Sequence, residues 1–255
     1  MKKIYLSIAF ITLAAVIFIT VGFMTENKTE VAKMENVPLG KGFAVVELFT
    51  SEGCSSCPSA DETVARLLNK NLDNVYILAY HVDYWNRLGW KDPFSKAEYS
   101  QRQSQYASKF NLSSVYTPQV VVNGLSEFVG SDEAKLNEVI KTNLNKQSAN
   151  SVTISTQRIN NSVKVHYEVK GSEGTILNFA LVQAEANISV KRGENGGRTL
   201  HQVNIVRALK TIDADGKGDI MMDVPNEINN VPLQIIAFTQ SKKSFQILGA
   251  DKKSI

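Results

Sequence analysis

Cysteine is nearly absent from this chain of 255 residues, which contains only two. A disulfide framework that staples a secreted domain needs several cysteines placed far apart, so that class of protein is excluded. Both cysteines stand in the run Cys54-Ser55-Ser56-Cys57. A bridge across two residues closes a very short loop and restrains the unfolded chain little. The pattern therefore favours a pair that serves reactivity rather than architecture.

An excess of charge and a set of metal-binding histidines are also missing. The 28 basic and 25 acidic residues leave a net charge of +3, so we expect no nucleic-acid partner. The three histidines, at positions 81, 166 and 201, are too scattered to complete a four-ligand zinc site with the cysteines. Pro58 follows Cys57 where haem attachment requires histidine. The sequence predicts neither a structural metal nor a cofactor.

The amino-terminal end has the pattern of a targeting segment. Lys2 and Lys3 precede an uncharged apolar run over residues 4–24. This run is long for a cleaved signal peptide and just long enough to span a bilayer, so residues 1–25 are either a signal peptide or a membrane anchor. Because lysines stand only before the apolar run, that end is expected to stay in the cytoplasm and the rest of the chain to lie in the periplasm or outside the cell. If the run is not cleaved, it is expected to anchor the protein in the inner membrane. Residues 26–40 are polar and are predicted to be a linker.

The remainder divides into two halves with different periodicity. Residues 41–148 alternate strand and helix patterns, with strands predicted over 42–50, 75–80 and 119–122 and helices over 55–69, 95–110 and 131–144. The second of these helices is predicted to open with a capping box formed by Ser95 and Glu98. Residues 149–255 show short alternating runs and almost no helical period. This half is predicted to be an all-β, sandwich-like domain.

The two cysteines are predicted to lie where a strand ends and a helix begins. The unpaired N–H groups and positive dipole end of a helix favour a thiolate there. We expect Cys54 to be the exposed nucleophile and Cys57, about one turn further in, to resolve the mixed disulfide.

Four other residues are predicted to flank this pair and to bind substrate. In thioredoxin-like folds a cis-proline faces the dithiol, and Thr117-Pro118, just before a strand, is the candidate for a substrate-binding backbone edge. His81 ends the second strand, at the edge where parallel sheets hold their ligands, as a proton partner of the cysteines or a hydrogen-bonding group. Trp85 is predicted to form an apolar rim for substrate, or to pack a long loop onto the domain.

Several longer segments carry a family resemblance. They are 49–58 around the cysteines, 81–85, 89–94, 116–119, 122–124, 192–200 and 204–207. Together they resemble the exported bacterial family catalogued as domain of unknown function 1223 (DUF1223), across nearly the whole mature chain. The resemblance implies a thioredoxin-like fold and a dithiol site, and it implies no particular substrate.

The sequence thus predicts an α/β thioredoxin-like domain followed by an all-β sandwich-like domain. The function it favours is an extracytoplasmic thiol–disulfide oxidoreductase acting on a protein or small-molecule thiol or disulfide. Two alternatives stay open. One is a copper(I) metallochaperone or sensor using Cys54, Cys57 and His81. The other is a non-catalytic binding module in which the β half docks partners.

Overall fold

The computed structural model describes residues 41–148, 150–214 and 216–255. The predicted signal peptide or anchor and the predicted linker lie outside these residues. Within the described ranges, no helix is long and apolar enough to cross a membrane.

The first half of the described chain alternates strands and helices. Its elements are β1 (Ala44–Thr50), α1 (Cys57–Asn69), β2 (Val75–His81), a short 3₁₀ helix (Asn86–Leu88), α2 (Ala97–Lys109), β3 (Gln119–Val122), β4 (Ser126–Val129) and α3 (Glu133–Leu144). β1 and β2 are parallel and every residue in them is buried, as their mostly apolar composition predicts. The hairpin β3–β4 is antiparallel and joins the free side of β1.

Helix ends follow the sequence prediction in one case and depart from it in another. Asp132 caps α3 by accepting a hydrogen bond from the Lys135 backbone N–H, at the start of the helix predicted over residues 131–144. The predicted capping box of α2 is wrong, because Lys96 is the N-cap and no side chain caps that helix. The Ser95 hydroxyl instead donates to the Asp92 carbonyl.

The second half consists of strands, as predicted, but they are longer than the sequence pattern indicated. They are β5 (Ser151–Ile159), β6 (Ser162–Lys170), β7 (Thr175–Ser189), β8 (Thr199–Asp213), β9 (Lys217–Asp223), β10 (Leu233–Ser241) and β11 (Ile247–Ser254), with a 3₁₀ helix (Asn226–Ile228) before β10. β5, β6 and β9 form a small antiparallel sheet.

The predicted fold class is wrong. The strands of both halves join in one mixed eight-stranded sheet, in the order β11-β10-β7-β8-β2-β1-β3-β4. The connection is the parallel contact of β8 with β2, where Ile205 pairs with Ala79 and the Asn204 amide donates to the Ile77 carbonyl. The described residues belong to one compact, mostly β unit with three α-helices. They are therefore not a thioredoxin-like domain followed by a separate β-sandwich.

A buried ion pair of the first half lies against β10 of the second half. Arg102 of α2 donates to the carboxylate of Glu47 in β1, with 3.0 Å between Nη2 and Oε1, and both side chains are buried. Its guanidinium group also lies over the rings of Tyr80, Tyr106 and Phe238, at 5.3–5.7 Å from their centroids. Because a charge is costly to bury alone, each partner depends on the other.

Replacement of Arg102 should therefore be costly. Arg102→Met leaves the Glu47 carboxylate buried without a cation and should lower the free energy of unfolding by about 3–5 kcal/mol. Arg66→Met is the matched control, because Arg66 pairs with Glu133 at the surface and should cost less than about 1 kcal/mol. Urea unfolding measures both, and equal losses would contradict a structural role for the buried pair.

Candidate functional site

The two cysteines form a disulfide at the start of α1. Cys54 lies in the turn after β1, and Cys57 is the first residue of the helix. The Cys57 N–H donates to the Cys54 carbonyl at 3.2 Å, which closes the turn that carries both sulfur atoms. The predicted position at a helix start is confirmed. No side chain caps this helix end, so its backbone dipole faces the cysteines.

The disulfide is more deeply buried than the sequence predicted. Neither Cys54 nor Cys57 exposes any surface, whereas Ser55 and Ser56 between them are exposed. The prediction of an exposed Cys54 is therefore wrong for the disulfide form. Thiol exchange at this pair would require the surrounding segments to open locally.

The predicted substrate-binding residues around Thr117 do gather beside Cys54. The Cys54 sulfur lies 3.8 Å from the Thr117 carbonyl oxygen and 3.3 Å from the Ser56 hydroxyl. The Thr117–Pro118 peptide bond is cis. Half-buried Trp85 donates its indole N–H to the Thr117 hydroxyl at 2.8 Å. The structure thus places Thr117, Pro118 and Trp85 at one edge of the disulfide, and their substrate-binding role stays a prediction.

The loop between β7 and β8 lies against the other side of the cysteine turn. Asn195 is fully buried, and its amide donates to the carbonyls of Glu52 and Cys54, at 2.9 Å each. The Glu194 carboxylate accepts from the Ser55 N–H at 3.0 Å, and hydrogen bonding by the side chain and then the backbone of Ser55 lowers the pKa of Glu194. Arg198 donates to the Asn195 amide oxygen. This Gly-rich loop therefore contacts the first half of the chain and is not a solvated hairpin tip, and we name residues 191–198 the cover loop.

A buried network of polar groups lies next to the disulfide. His81, at the end of β2, bonds through Nδ1 to Asp92 at 2.7 Å. Asp92 also accepts from the backbone N–H groups of Glu52 and Phe94. The Glu52 carboxylate accepts from the Trp90 indole at 2.7 Å. His81 was predicted to be a proton partner of the cysteines or a hydrogen-bonding group, and the structure pairs it with Asp92.

Asp61 is a further member of this network. It lies on α1, four residues after Cys57, and its Oδ1 accepts from the Thr50 hydroxyl at 2.9 Å. Its Oδ2 accepts no hydrogen bond within 3.5 Å from the described residues, although the amide of Gln202 is near enough to lower the Asp61 pKa. Among the same residues, Glu52 Oε1 and His81 Nε2 are likewise buried without a hydrogen-bond partner.

The buried network raises the pKa of two of its carboxyl groups and lowers the pKa of the third. Burial, reinforced by the charge of Asp92, raises the pKa of Glu52 to about 7. Burial also raises the pKa of Asp61 to about 6, against the opposing effect of His81. Burial disfavours a charged ring at His81, but Asp92, Asp61 and Glu52 together raise its pKa. Burial opposes ionisation of Asp92 too, yet the cationic His81 lowers its pKa. The result is an ion pair of His81 with Asp92 beside two weakly acidic carboxyl groups.

Sequence reasoning did not assign a functional role to Glu52, Asp61 or Asp92. Asp61 carries one usable signal, because residues four apart on a helix lie on the same face and Cys57 is its neighbour by that rule. Asp92 lies 11 residues from His81 in a loop, and no sequence spacing indicates that contact.

The described part of the chain contains no group of three or more histidine, cysteine or acidic residues arranged to hold a metal ion. His81 directs one ring nitrogen to Asp92. The copper hypothesis stays a prediction.

These features define a mixed-sheet protein with a buried CxxC disulfide at a helix start. Residues 45–240 match the family described as "Protein of unknown function (DUF1223)". The chain therefore belongs to this family, as the resemblance in its motifs predicted. No curated protein matched the chain.

Two solved structures are similar to this fold over most of its length. Protein AGR_C_4864 from Agrobacterium tumefaciens is 26% identical, with 82% of this chain and 92% of that chain covered and a TM-score of 0.63. HBP35 of Porphyromonas gingivalis is 18% identical, with 85% and 76% covered and a TM-score of 0.55. At that identity the second likeness concerns the fold alone.

The comparisons also correct the broader class that the sequence predicted. The family description names no activity, and the mostly β architecture differs from the expected thioredoxin-like arrangement. Assignment as a thioredoxin-type oxidoreductase is therefore wrong as a description of fold and family. The predicted pairing of Cys54 with Cys57 at the start of a helix still holds.

The raised pKa of Asp61 predicts a pH-dependent change in stability. A carboxyl whose pKa is higher in the folded state stabilises the fold below its unfolded pKa of about 4, and this stability is lost as the pH rises through about 6. Asp61→Asn should therefore raise the free energy of unfolding by about 2 kcal/mol at pH 8 and have little effect at pH 4. Urea unfolding across this range measures the difference, with exposed Glu62→Gln as the control. A difference that does not vary with pH would contradict the assignment.

The cover loop predicts a second change, in access to the disulfide. Asn195→Ala removes two hydrogen bonds from the cysteine turn and should speed local opening. Reduction of the disulfide by a water-soluble phosphine should become about tenfold faster, as expected for loss of one to two kcal/mol. Arg192→Ala, on the same loop, should leave the rate unchanged. Equal rates in wild type and Asn195→Ala would show that the loop does not limit access.

Proposed function

We propose that this protein carries out thiol–disulfide exchange outside the cytoplasm, with Cys54 as the nucleophile and Cys57 as the resolving residue. The observation that carries the proposal is that the only two cysteines of the chain form one short-loop disulfide at the start of α1. The substrate class is a protein or small molecule with a thiol or a disulfide.

The small loop supports reactivity over stabilisation. In the chain-entropy account, a loop of four residues contributes about 2 kcal/mol, whereas a loop of about 100 residues contributes nearly 5 kcal/mol. A compact unit with extensive buried apolar clusters gains little from such a bridge. The pair is therefore poorly suited to a purely structural role.

The position of Cys54 supports its role as the attacking group. Its sulfur precedes the free N–H groups of α1, where a helix dipole stabilises a thiolate. After reduction, the Ser56 hydroxyl, 3.3 Å from that sulfur in the disulfide, can donate a hydrogen bond to it. Cys57 lies within the first turn of the helix, where it can attack a mixed disulfide at Cys54.

Export supports the same function. The lysines at positions 2 and 3 and the apolar run over residues 4–24 favour passage across or insertion into the inner membrane. Disulfide chemistry persists in the oxidising compartments beyond that membrane. We therefore place the exchange reaction in the periplasm or outside the cell, with a tether through residues 4–24 as the alternative to cleavage.

Single cysteine variants test the proposal. Cys54→Ser should abolish exchange with a fluorescent disulfide-linked peptide in a glutathione buffer, because no thiolate remains at the helix start. Cys57→Ser should accumulate a covalent adduct of one peptide per protein at Cys54, since the resolving thiol is missing. Fluorescence and intact-protein mass spectrometry report the two results.

The exposed serine between the cysteines provides the control. Ser55→Ala retains the backbone N–H that binds Glu194 and should exchange at the wild-type rate. If Cys54→Ser exchanges as fast as wild type, the disulfide is not the working group and the proposal fails.

A further inference from the structure

Asp61 and Cys57 occupy the same buried face of α1. They are four residues apart, which brings side chains on a helix to within about 5–6 Å at their Cβ atoms. Cys57 has no exposed surface and Asp61 is 4% exposed. The buried residues Ala60 and Val64 lie between and beyond them on this face. The carboxyl group is thus an adjacent polar neighbour of the resolving cysteine on its own helix.

The surroundings of Asp61 hold it in a fixed orientation. Thr50 of β1 donates to Oδ1, while Oδ2 accepts no hydrogen bond within 3.5 Å from the described ranges. The ionisable groups that act on it from the packed elements are His81 of β2 and, with smaller or less direct effects, Asp92 and Glu52. Polar Gln202 of β8 also faces it. One carboxylate oxygen is therefore anchored and the other is available to take a proton.

We propose that Asp61 is the group that removes the proton from Cys57 when the mixed disulfide is resolved, and returns it in the reverse direction. This inference rests on the proposed function, since it assigns the proton step within that exchange.

The chemistry balances as follows. In the reduced protein, the Cys54 thiolate attacks a client disulfide, a Cys54–client bond forms, and the first client thiolate leaves. The Cys57 thiol then gives its proton to the Asp61 carboxylate and its sulfur attacks the Cys54 sulfur. The Cys54–Cys57 bond forms and the Cys54–client bond breaks. The second client thiolate leaves with the electron pair, and Asp61 releases its proton to solvent. Two electrons pass from the dithiol to the client disulfide.

The other members of the network are less suited to this step. Asp92 occupies Nδ1 of His81 and raises the pKa of the ring, which favours the protonated form, and that form has no lone pair with which to accept a proton. Glu52 precedes Cys54 in the chain and is held by Trp90. Asp61 is largely ionised at neutral pH, and its pKa of about 6 makes it a stronger base than an ordinary aspartate.

Rapid-quench kinetics on the reduced protein tests the inference. Wild type and Asp61→Asn are mixed with an excess of a peptide disulfide, quenched with acid, and analysed by mass spectrometry. The formation of the Cys54–peptide adduct should be unchanged within about twofold. Resolution of that adduct should slow by about 10²-fold at pH 7 in Asp61→Asn, as loss of a general base does. Exposed Glu62→Gln on the same helix should resolve as wild type.

The pH profile and a conservative variant separate proton transfer from a structural effect. Resolution in wild type should rise with pH through about 6, and this rise should be lost in Asp61→Asn and retained in Asp61→Glu. If Asp61→Asn fails to fold, the wild-type profile and Asp61→Glu decide the matter, because absence of the rise in both overturns the inference.

The outcomes distinguish this inference from the function beneath it. If wild type forms no adduct at all, the proposed exchange function fails. If wild type forms and resolves the adduct while Asp61→Asn resolves it as fast as Glu62→Gln, exchange stands and the role of Asp61 is refuted.

Discussion

The parallel pairing of β1 and β2 is the constraint on which the candidate site depends. Its register sets Thr50 beside His81 at the end of the two strands. Thr50 then anchors Asp61, and His81 anchors Asp92, so both carboxyl groups are drawn to the edge where the cysteine turn begins. A shift of one residue would turn each of these side chains to the opposite face of the sheet. The ordinary strand–helix–strand geometry thus assembles a buried acid–base network beside a disulfide.

The second half of the chain adds strands to the same sheet beside the candidate site and is not a separate domain. β8 pairs with β2, and the cover loop that precedes it holds the backbone of the cysteine turn through Asn195. Neither cysteine of the disulfide exposes surface beneath this loop. Reactivity in such an arrangement depends on local opening, and the few hydrogen bonds of an exposed loop are the part of a structure that opens most readily.

Local features of the fold were predictable from sequence, whereas its sheet connectivity was not. The apolar run before Cys54 and the helical spacing after it predicted β1 and α1, because both patterns depend on neighbours in the chain. The fold class was missed because β8 pairs with β2 across more than 120 residues, and its alternation does not reveal that partner. The same limit applies to the site. Cys54, Cys57, Thr117 and Pro118 carry motif signals, while the Asp92 and Asn195 contacts arise only from loop folding.

The reduction potential of the Cys54–Cys57 pair tests the central claim most directly. Equilibration of the native protein in glutathione buffers of varied ratio, followed by thiol labelling and mass spectrometry, gives this value. A redox-active pair should titrate reversibly at a potential above about −300 mV, the upper range of structural disulfides. A pair that stays oxidised at every ratio, or titrates below that value, would contradict a role in thiol–disulfide exchange.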